Sequence, residues 1–269
     1  MRLNLSLWLV LLGTLALHPA HAAPQATCTR PLTVAYFDIG ALYNGATGKG
    51  IDRDLVEEIG RRIGCKVSAR FLSRTLVLHL METGHLDIGT SAIPTPERAK
   101  FAEFVPYFWT RNELITLANP PLPDTPDGFL SAPDLRLGVV RRYLHGAGWD
   151  EWIEALRAQG RVVEASDTHE LVQLLYAGRI SAFPAIPYVS MTFLDISGRR
   201  TPIKRARWFA DQPGTEGTLL LSRTTLDQPT RDAIAQAVRE MREDGTLATI
   251  FARYVPDKKD VAAMLGGGK

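Results

Sequence analysis

The chain carries almost no net charge and so gives no sign of a nucleic-acid partner. Its 31 lysines and arginines stand against 29 aspartates and glutamates, a formal charge of +2. Removal of the first 22 residues would take away one arginine and no acid, which leaves 30 against 29. Proteins that bind nucleic acid need a basic patch or stripe to neutralise phosphates. No nucleic-acid partner is therefore expected.

Long hydrophobic runs are also scarce. One extended run covers residues 3–17, with Arg2 before it and the small-residue exit Ala-His-Ala at 20–22. It is shorter than the roughly 20 apolar residues needed to cross a bilayer. This pattern is typical of a secretory signal peptide. We expect residues 1–22 to be cleaved and the mature chain to begin near Ala23 in the periplasm.

Only two cysteines are present, Cys28 and Cys65. An even count in an exported chain is compatible with one disulfide. Each cysteine precedes a strand candidate, at 32–37 and 66–72, so both lie at one sheet edge if these strands are parallel neighbours. Two buried thiols are the alternative, and a lipid anchor on Cys28 is disfavoured by the large Thr27 before it. We predict the disulfide.

Signatures of enzymes and metalloproteins are missing from the sequence as well. It contains no nucleophile elbow, no cluster of metal ligands and no phosphate-binding glycine loop. His79 and His85 are six residues apart, a poor spacing for two ligands on one helix face. No metal, no cofactor and no catalytic residue is expected.

What the sequence does contain is an alternation of strands and helices. The first part predicts strands at 32–37, 66–72 and 86–90, and helices at 51–63 and 73–83. In the first helix apolar residues recur every four positions and a glycine follows the last of them. This order indicates a parallel sheet with helices on its faces. Ligands of such sheets gather at the carboxyl ends of the strands.

The same alternation restarts after a proline-rich segment at 120–128. A strand at 112–119 precedes that segment. After it the predicted strands are 135–140, 161–165, 179–186 and 217–222, and the predicted helices are 148–160, 168–178 and a last one from 230 onwards. Two similar α/β units in one chain suggest two lobes. The polar, glycine-rich tail at 258–269 is expected to fray.

The step Thr-Pro-Glu-Arg at 95–98 predicts a helix start. Thr95 is a good N-cap, and Pro96 suits the first helical position because its missing N–H would be unpaired there. Arg98 then lies in the first turn, where free backbone amides already attract an anion. A solvated surface arginine is the alternative.

Four segments together resemble the family-three, type II periplasmic solute-binding proteins, the polar amino-acid group that serves ABC importers. They are GIDRDLVEEIGRRIG at 50–64, LDIGTSAIPTPERAKFAEFVPYF at 86–108, YAGRISA at 176–182 and EDGTLATIFARY at 243–254. The resemblance rests on their order and spacing and extends from Leu32 to Tyr254.

The resemblance implies an α/β, two-lobed periplasmic-binding-protein-like (type II) fold with two hinge-crossing strands. Lobe one would comprise residues 23–115 plus 221–269, and lobe two residues 116–220. The segments NELITLAN and GTLLLS would supply the crossing strands. Members of the family close their lobes over a ligand held in the cleft.

The resemblance also assigns Arg98 to the ligand's carboxylate. A guanidinium can pair a carboxylate through two parallel hydrogen bonds, and helix-start amides add donors. Ser91 and Thr95 flank Arg98 and offer hydroxyls, although Thr95 also has the capping role. Asp38 and Tyr43, in the glycine-rich loop after the first strand, are further candidate ligand contacts.

Lobe two departs from the family pattern. Relatives hold the ligand's ammonium group with an aspartate at the position of Ile186, so either the ligand lacks an α-ammonium or another acid such as Asp38 supplies the partner. Arg142 and Tyr143 occupy a turn that binds the carboxylate in relatives and are candidate contacts. Either Arg141 or Arg142 is expected to face the cleft, with solvated positions as the alternative.

The function that the sequence favours is a monomeric periplasmic receptor for a small carboxylate-bearing metabolite, an amino acid or related organic acid. Its partner would be the membrane permease of an ABC importer. Two alternatives stay open. One is an exported enzyme on the same scaffold, similar to cyclohexadienyl dehydratase, which would need a positioned acid or base. The other is a sensory ligand-binding protein.

Overall fold

A computed structural model describes residues 28–186 and 202–266. The predicted signal peptide at 1–22 lies outside these residues. Within the described part of the chain, no helix combines the length and the apolar character that a membrane crossing requires.

The described strands form two sheets. They are β1 Leu32–Tyr36, β2 Val67–Phe71, β3 Ile88–Ala92, β4 Ala102–Thr110, β5 Glu113–Leu117, β6 Leu137–Val140, β7 Val162–Ala165, β8 Ala182–Ala185, β9 Ile203–Ala206 and β10 Thr215–Ser222. The first sheet has the order β2-β1-β3-β10-β4 and the second the order β7-β6-β8-β5-β9. In both sheets the first three strands run parallel, and the others pair antiparallel.

Helices pack against both sheets. They are α1 Ile51–Ile63, α2 Arg74–Glu82, α3 Pro96–Ala99, α4 Pro126–Ser131, α5 Trp149–Ala158, α6 Thr168–Tyr176, α7 Gln228–Glu243, α8 Thr246–Ala252 and α9 Lys258–Leu265. We call the first sheet with α1–α3 and α7–α9 lobe one, and the second sheet with α4–α6 lobe two.

Local sequence explains why these elements begin and end where they do. In α1, acids occupy the first turn and arginines the last, which complements the helix dipole. Gly64 ends α1 in the left-handed region, at φ 72°, and its N–H donates to the carbonyl of Gly60. Thr95 caps α3 through its hydroxyl, and Pro96 occupies the first turn, as the sequence predicts.

The chain passes between the sheets at two places, 111–112 and 207–214. β4 and β10 pair in the first sheet as far as Thr110 and Thr215. The segments NELITLAN and GTLLLS each lie in one sheet: the former supplies β5 of the second sheet and the latter β10 of the first. Each segment therefore adjoins a crossing, and the predicted lobe boundary at 220 falls inside β10.

Lobe two has an aromatic core between α4, α5 and the segment after β9. Trp149, Trp152 and Trp208 pack with Phe129 and Phe209, and neighbouring ring centroids lie 5.1 to 6.3 Å apart. The indole N–H groups of Trp152 and Trp208 donate to backbone carbonyls at 3.1 and 2.9 Å. Rings of this size bury enough apolar area to hold a small lobe together.

The predicted disulfide is present. Cys28 and Cys65 are bonded, with their Cα atoms 5.6 Å apart. β1 and β2 are parallel neighbours, and Leu32 pairs with Val67, so the two cysteines do lie at one edge of the sheet. The bond connects the chain before β1 to the turn after α1.

The expectation that the tail frays is wrong for residues 258–265. These residues form α9, which packs against β4. Val261 and Met264 are 7% and 5% exposed, and Asp257 caps the helix by accepting from the N–H of Lys259. Two apolar anchors one turn apart are enough to hold this short polar helix on lobe one.

Candidate functional site

The carboxyl ends of four parallel strands, two from each lobe, surround a cavity of about 220 Å³. The lining comes from the ends of β1 (37–39), β2 (71–74) and β6 (140 and 143), and from the turn after β7 (166–168). We call this space the inner cavity. It lies between the lobes, where an α/β protein of this topology is expected to bind ligands.

Two carboxylates line the inner cavity, Asp38 from lobe one and Asp167 from lobe two. Asp38 is half-buried and accepts from the N–H of Gly45 at 3.1 Å. Burial raises the pKa of Asp38, and the negative charge of Asp167 raises it further. Asp167 also caps α6 by accepting from the N–H of Glu170 at 2.9 Å. This acidic side of the cavity suits a donor or cationic group.

Tyr43 lies in a stack of three rings next to the inner cavity. Its ring centroid is 4.6 Å from that of Tyr36 and 5.9 Å from that of Phe71. Tyr43 is 8% exposed, whereas Phe71 is 54% exposed and lines the cavity. Phe71, which the sequence analysis did not single out, is thus the ring of this stack that a ligand would meet.

Ser91 takes part in a buried hydrogen-bond network beneath the cleft. Its hydroxyl donates to Asp52 at 2.7 Å, and the Tyr107 hydroxyl donates to the other oxygen of Asp52 at 2.5 Å. Burial raises the pKa of Asp52 to about 6 although these donors oppose it. The hydrogen bonds of Ser91 thus serve the interior of lobe one, and a contact with the ligand stays a prediction.

Arg98 lies at the interface of the lobes, and its role in holding a ligand stays a prediction. Its backbone N–H donates to the Thr95 hydroxyl at 3.2 Å, so Thr95 has the capping role. The guanidinium donates to the carbonyls of Ile93 at 2.6 Å and Arg142 at 3.5 Å. Arg98 is 7% exposed, and burial followed by the charge of Arg142 lowers its pKa. Among the described residues no carboxylate lies within 4.0 Å of it.

A second cavity, of about 620 Å³, opens beside Arg98. We call it the outer cavity, and its lining is Leu78, Glu82, Thr95, Glu97, Arg98, Lys100, Phe101, Arg142 and Leu144. Arg142 adopts the left-handed region at φ 59° and lies 3.9 Å from Glu82 across the lobe interface. Of the two neighbouring arginines, Arg142 is therefore the one that lines the cleft; Arg141 is exposed and lines neither cavity.

Tyr143 lines the inner cavity, and its contact with a ligand stays a prediction. Burial raises the pKa of its hydroxyl to about 12, so the group is a neutral donor at physiological pH. Its ring centroid lies 5.0 Å from that of His145, which is 4% exposed. Burial lowers the pKa of His145 to about 3, so this histidine is a neutral interior side chain. Ile186, at the end of β8, is 5% exposed and brings no charge to the site.

Arg74 is a buried cation of the inner cavity that sequence reasoning missed. It is 4% exposed, and its guanidinium lies 4.5 Å from the ring centroid of Phe37 and 5.9 Å from that of Tyr143. One nitrogen donates to the carbonyl of Thr90 at 3.3 Å, and Nε has no partner. Burial, and then the charge of Arg98, lowers the pKa of Arg74 to about 9.

The sequence does contain a signal for Arg74 and Asp167, two residues of the inner cavity that were not predicted. Arg74 follows β2 and Asp167 follows β7, so both lie at the strand ends where ligands of parallel sheets bind. Each also lies at a helix start, and this local role conceals the functional one. Asp52 is different, because its position in α1 gives no indication of the Ser91 and Tyr107 hydroxyls that meet it.

A model of the bacterial extracellular solute-binding proteins, family 3, matches residues 37–257. The chain belongs to this family. Its two-lobed α/β fold is the type II fold of periplasmic binding proteins. No curated protein matches the sequence.

Three solved structures illustrate the relationship of this family-3 protein to others. An ancestral arginine-binding protein bound to arginine is 18% identical, with a TM-score of 0.70, over 84% of this chain and 98% of that one. The amino acid ABC transporter substrate-binding protein AbpA from Streptococcus pneumoniae, bound to L-arginine, is 17% identical, with a TM-score of 0.67, over 87% and 96%. A histidine kinase sensor domain with similarity to periplasmic binding proteins is 15% identical, with a TM-score of 0.70, over 84% and 96%. Identities this low show the fold alone.

Proposed function

We propose that this family-3 protein is a periplasmic receptor that captures a small carboxylate-bearing metabolite, an amino acid or a related organic acid, for an ABC importer. The observation that carries the proposal is Arg98. Its guanidinium is buried at the lobe interface and no described carboxylate pairs with it. Burying an unpaired charge is costly, and a ligand carboxylate would offset that cost.

The surroundings of Arg98 support the same reading. Arg98 lies at the start of α3, next to the capped first turn, and a guanidinium with nearby amides is a preferred receptor for carboxylates. Its bond to the Arg142 carbonyl joins lobe one to lobe two. An anion held there would contact both lobes and favour the closed arrangement, which is the form that a permease partner would recognise.

Whether the site also binds an ammonium group of the ligand can be tested directly. Ile186 offers no charge, whereas Asp38 and Asp167 line the inner cavity. If these acids hold an ammonium group, an amino acid should bind more tightly than its deaminated counterpart. If they do not, the deaminated acid should rival or exceed it. Calorimetry with matched pairs distinguishes the two.

The experiment that tests the proposed function is a thermal-shift screen of freshly exported protein against amino acids, dicarboxylates, aromatic acids, small peptides and an uncharged sugar. A ligand at a hundred times its Kd should stabilise the protein by about 2.7 kcal/mol. For a chain of this size that corresponds to a shift of several degrees in Tm. A shift with the sugar and with no carboxylate would overturn the substrate class.

A sensory role is the second candidate, because one of the similar structures is a histidine kinase sensor domain. A transport receptor and a sensory protein would bind the same ligand and close in the same way, so the two roles differ only in the membrane partner. Cells that lack this protein would lose uptake of the ligand if it serves an importer. Retained uptake together with a lost transcriptional response to the ligand would indicate sensing.

A further inference from the structure

We propose that Arg74 binds a second anionic group of the ligand, so that the ligand is a dicarboxylate. This inference rests on the proposed function, in which Arg98 holds the first carboxylate. Arg74 lines the inner cavity, while Arg98 lines the outer one. The charge of Arg98 lowers the pKa of Arg74, so the two guanidiniums are near each other although they line different cavities.

Arg74 has far fewer acceptors than its donors require. A guanidinium carries five N–H groups, and among the described residues Arg74 makes one hydrogen bond, to the Thr90 carbonyl at 3.3 Å. Its Nε is buried without a partner. The rings of Phe37 and Tyr143 hold the guanidinium in place, but aromatic faces do not accept the remaining N–H groups as a carboxylate would.

The acids around Arg74 do not neutralise it. The charge of Asp52 acts on Arg74, but among the described residues no Asp52 oxygen lies within 4.0 Å of its guanidinium, and both oxygens accept hydrogen bonds from the hydroxyls of Ser91 and Tyr107. Asp38 and Asp167 line the same cavity, and neither lies within 4.0 Å of the Arg74 guanidinium. The inner cavity therefore has a cationic side and an acidic side that are not paired with each other.

Two unpaired cations in one cleft also destabilise each other. Arg98 acts on Arg74 through its positive charge, and both side chains are more than nine-tenths buried. One monocarboxylate would neutralise one of them and leave the other. A dicarboxylate neutralises both, and a donor group on it, such as an ammonium, would face Asp38 and Asp167.

Arg161 provides a matched control. It is 7% exposed, similar to Arg74 and Arg98, and its guanidinium lies 5.7 Å from the ring centroid of Phe129. Its donors, however, are satisfied by the carbonyls of Leu130, Leu135 and Phe129 and by the side chain of Gln159. Arg161 lines neither cavity, so its replacement should not alter ligand preference.

The test measures the affinities of dicarboxylates and of their monoamides for the wild-type protein and for Arg74→Met, Arg74→Lys and Arg161→Met. The pairs are aspartate and asparagine, glutamate and glutamine, and succinate, glutarate and adipate with their monoamides. We expect at least one wild-type preference for the dicarboxylate of about 30-fold or more, the loss typical of an unpaired buried charge. Arg74→Met should reduce that preference to within about threefold, and Arg74→Lys should retain part of it. Arg161→Met should leave it unchanged.

The thermal unfolding midpoint of each variant without ligand shows whether Arg74 serves ligand binding or only the stability of the fold. Arg74→Met removes an unpaired buried charge and should leave the midpoint unchanged or higher. Equal wild-type affinities within every pair, or a preference that persists in Arg74→Met, would overturn the inference and leave the proposed function intact. If no carboxylate of either kind binds the wild-type protein, the proposed function fails together with it.

Discussion

The buried arginines of the cleft and the buried arginine of lobe two have different surroundings. At the base of lobe two, Arg161 donates to the carbonyls of Leu130, Leu135 and Phe129 at 2.7 to 2.8 Å. In the cleft, Arg98 has two carbonyl partners and Arg74 has one, although all three arginines are less than 8% exposed. Burial alone therefore does not indicate a ligand site.

What distinguishes the two regions is whether the fold itself supplies the acceptors. The chain around α4 and β6 places three backbone carbonyls at Arg161, and these carbonyls accept hydrogen bonds from its guanidinium. In the cleft the guanidiniums of Arg74 and Arg98 have N–H groups without acceptors. A folded protein tolerates such unsatisfied donors at a site where a ligand supplies the acceptors. The cleft arginines should accordingly matter for binding, and Arg161 for stability.

The largest expected effect is on the stability of Arg161→Met. The substitution leaves three backbone carbonyls without their donor, and each unsatisfied buried group costs about 1 to 3 kcal/mol. We expect a loss of about 3 to 5 kcal/mol in the free energy of unfolding, measured by urea titration. Arg74→Met is the control, with no loss. Equal losses in both variants would erase the distinction between the two regions.

A second prediction concerns Asp52, a buried carboxyl group whose negative charge raises the pKa of Arg74. Its pKa is raised to about 6 in the fold and is near 4 when unfolded. The stability due to protonated Asp52 is therefore present below about pH 4 and lost as the pH rises through about 6. Relative to Asp52→Asn, the wild-type protein should lose about 3 kcal/mol between pH 4 and pH 7.

Chemical unfolding of both proteins across that pH range measures the difference. A wild-type protein that gains stability over Asp52→Asn with rising pH would mean that the fold lowers the pKa of Asp52, as an ion pair with Arg74 would. In that case Arg74 would not be an unneutralised cation, and it would resemble Arg161.

The smallest effect should come from the exposed ion pair across the lobes. Arg142 and Glu82 lie 3.9 Å apart, and their side chains are 48% and 56% exposed. Surface pairs contribute about 0 to 1 kcal/mol. We expect Glu82→Gln to change the free energy of unfolding by less than about 1 kcal/mol, as measured by urea titration. A loss of stability as large as that of Arg161→Met would show that exposure does not decide how much Arg142 and Arg161 contribute to the free energy of unfolding.

Much of the fold could be predicted because periodicity is local. The strands at 32–37 and 66–72 and the helix at 51–63 correspond to β1, β2 and α1 within one or two residues. The last helix, α9, was missed because its composition is polar and its two apolar anchors matter only once β4 is beside them. Tertiary packing decides such a segment, and propensity does not.

The site was predictable to the extent that it depends on neighbours in sequence. Thr95, Pro96 and Arg98 are a local motif, and the structure places them as that motif requires. Tyr43 was expected at the strand ends, but its stack with Tyr36 depends on how the loop folds back. The imbalance of acceptors at Arg74 could not be read from sequence, since it is a property of everything that surrounds the side chain.

The most direct test of the carboxylate receptor is calorimetry of Arg98→Ala beside Arg161→Met, with the carboxylate that gives the wild-type protein its largest thermal shift. Arg98→Ala should weaken binding by about 2 to 5 kcal/mol because the ligand's charge is left desolvated and unpaired. Arg161→Met, measured below its melting transition, should bind like the wild-type protein. Wild-type affinity in Arg98→Ala, with the fold intact, would contradict the account.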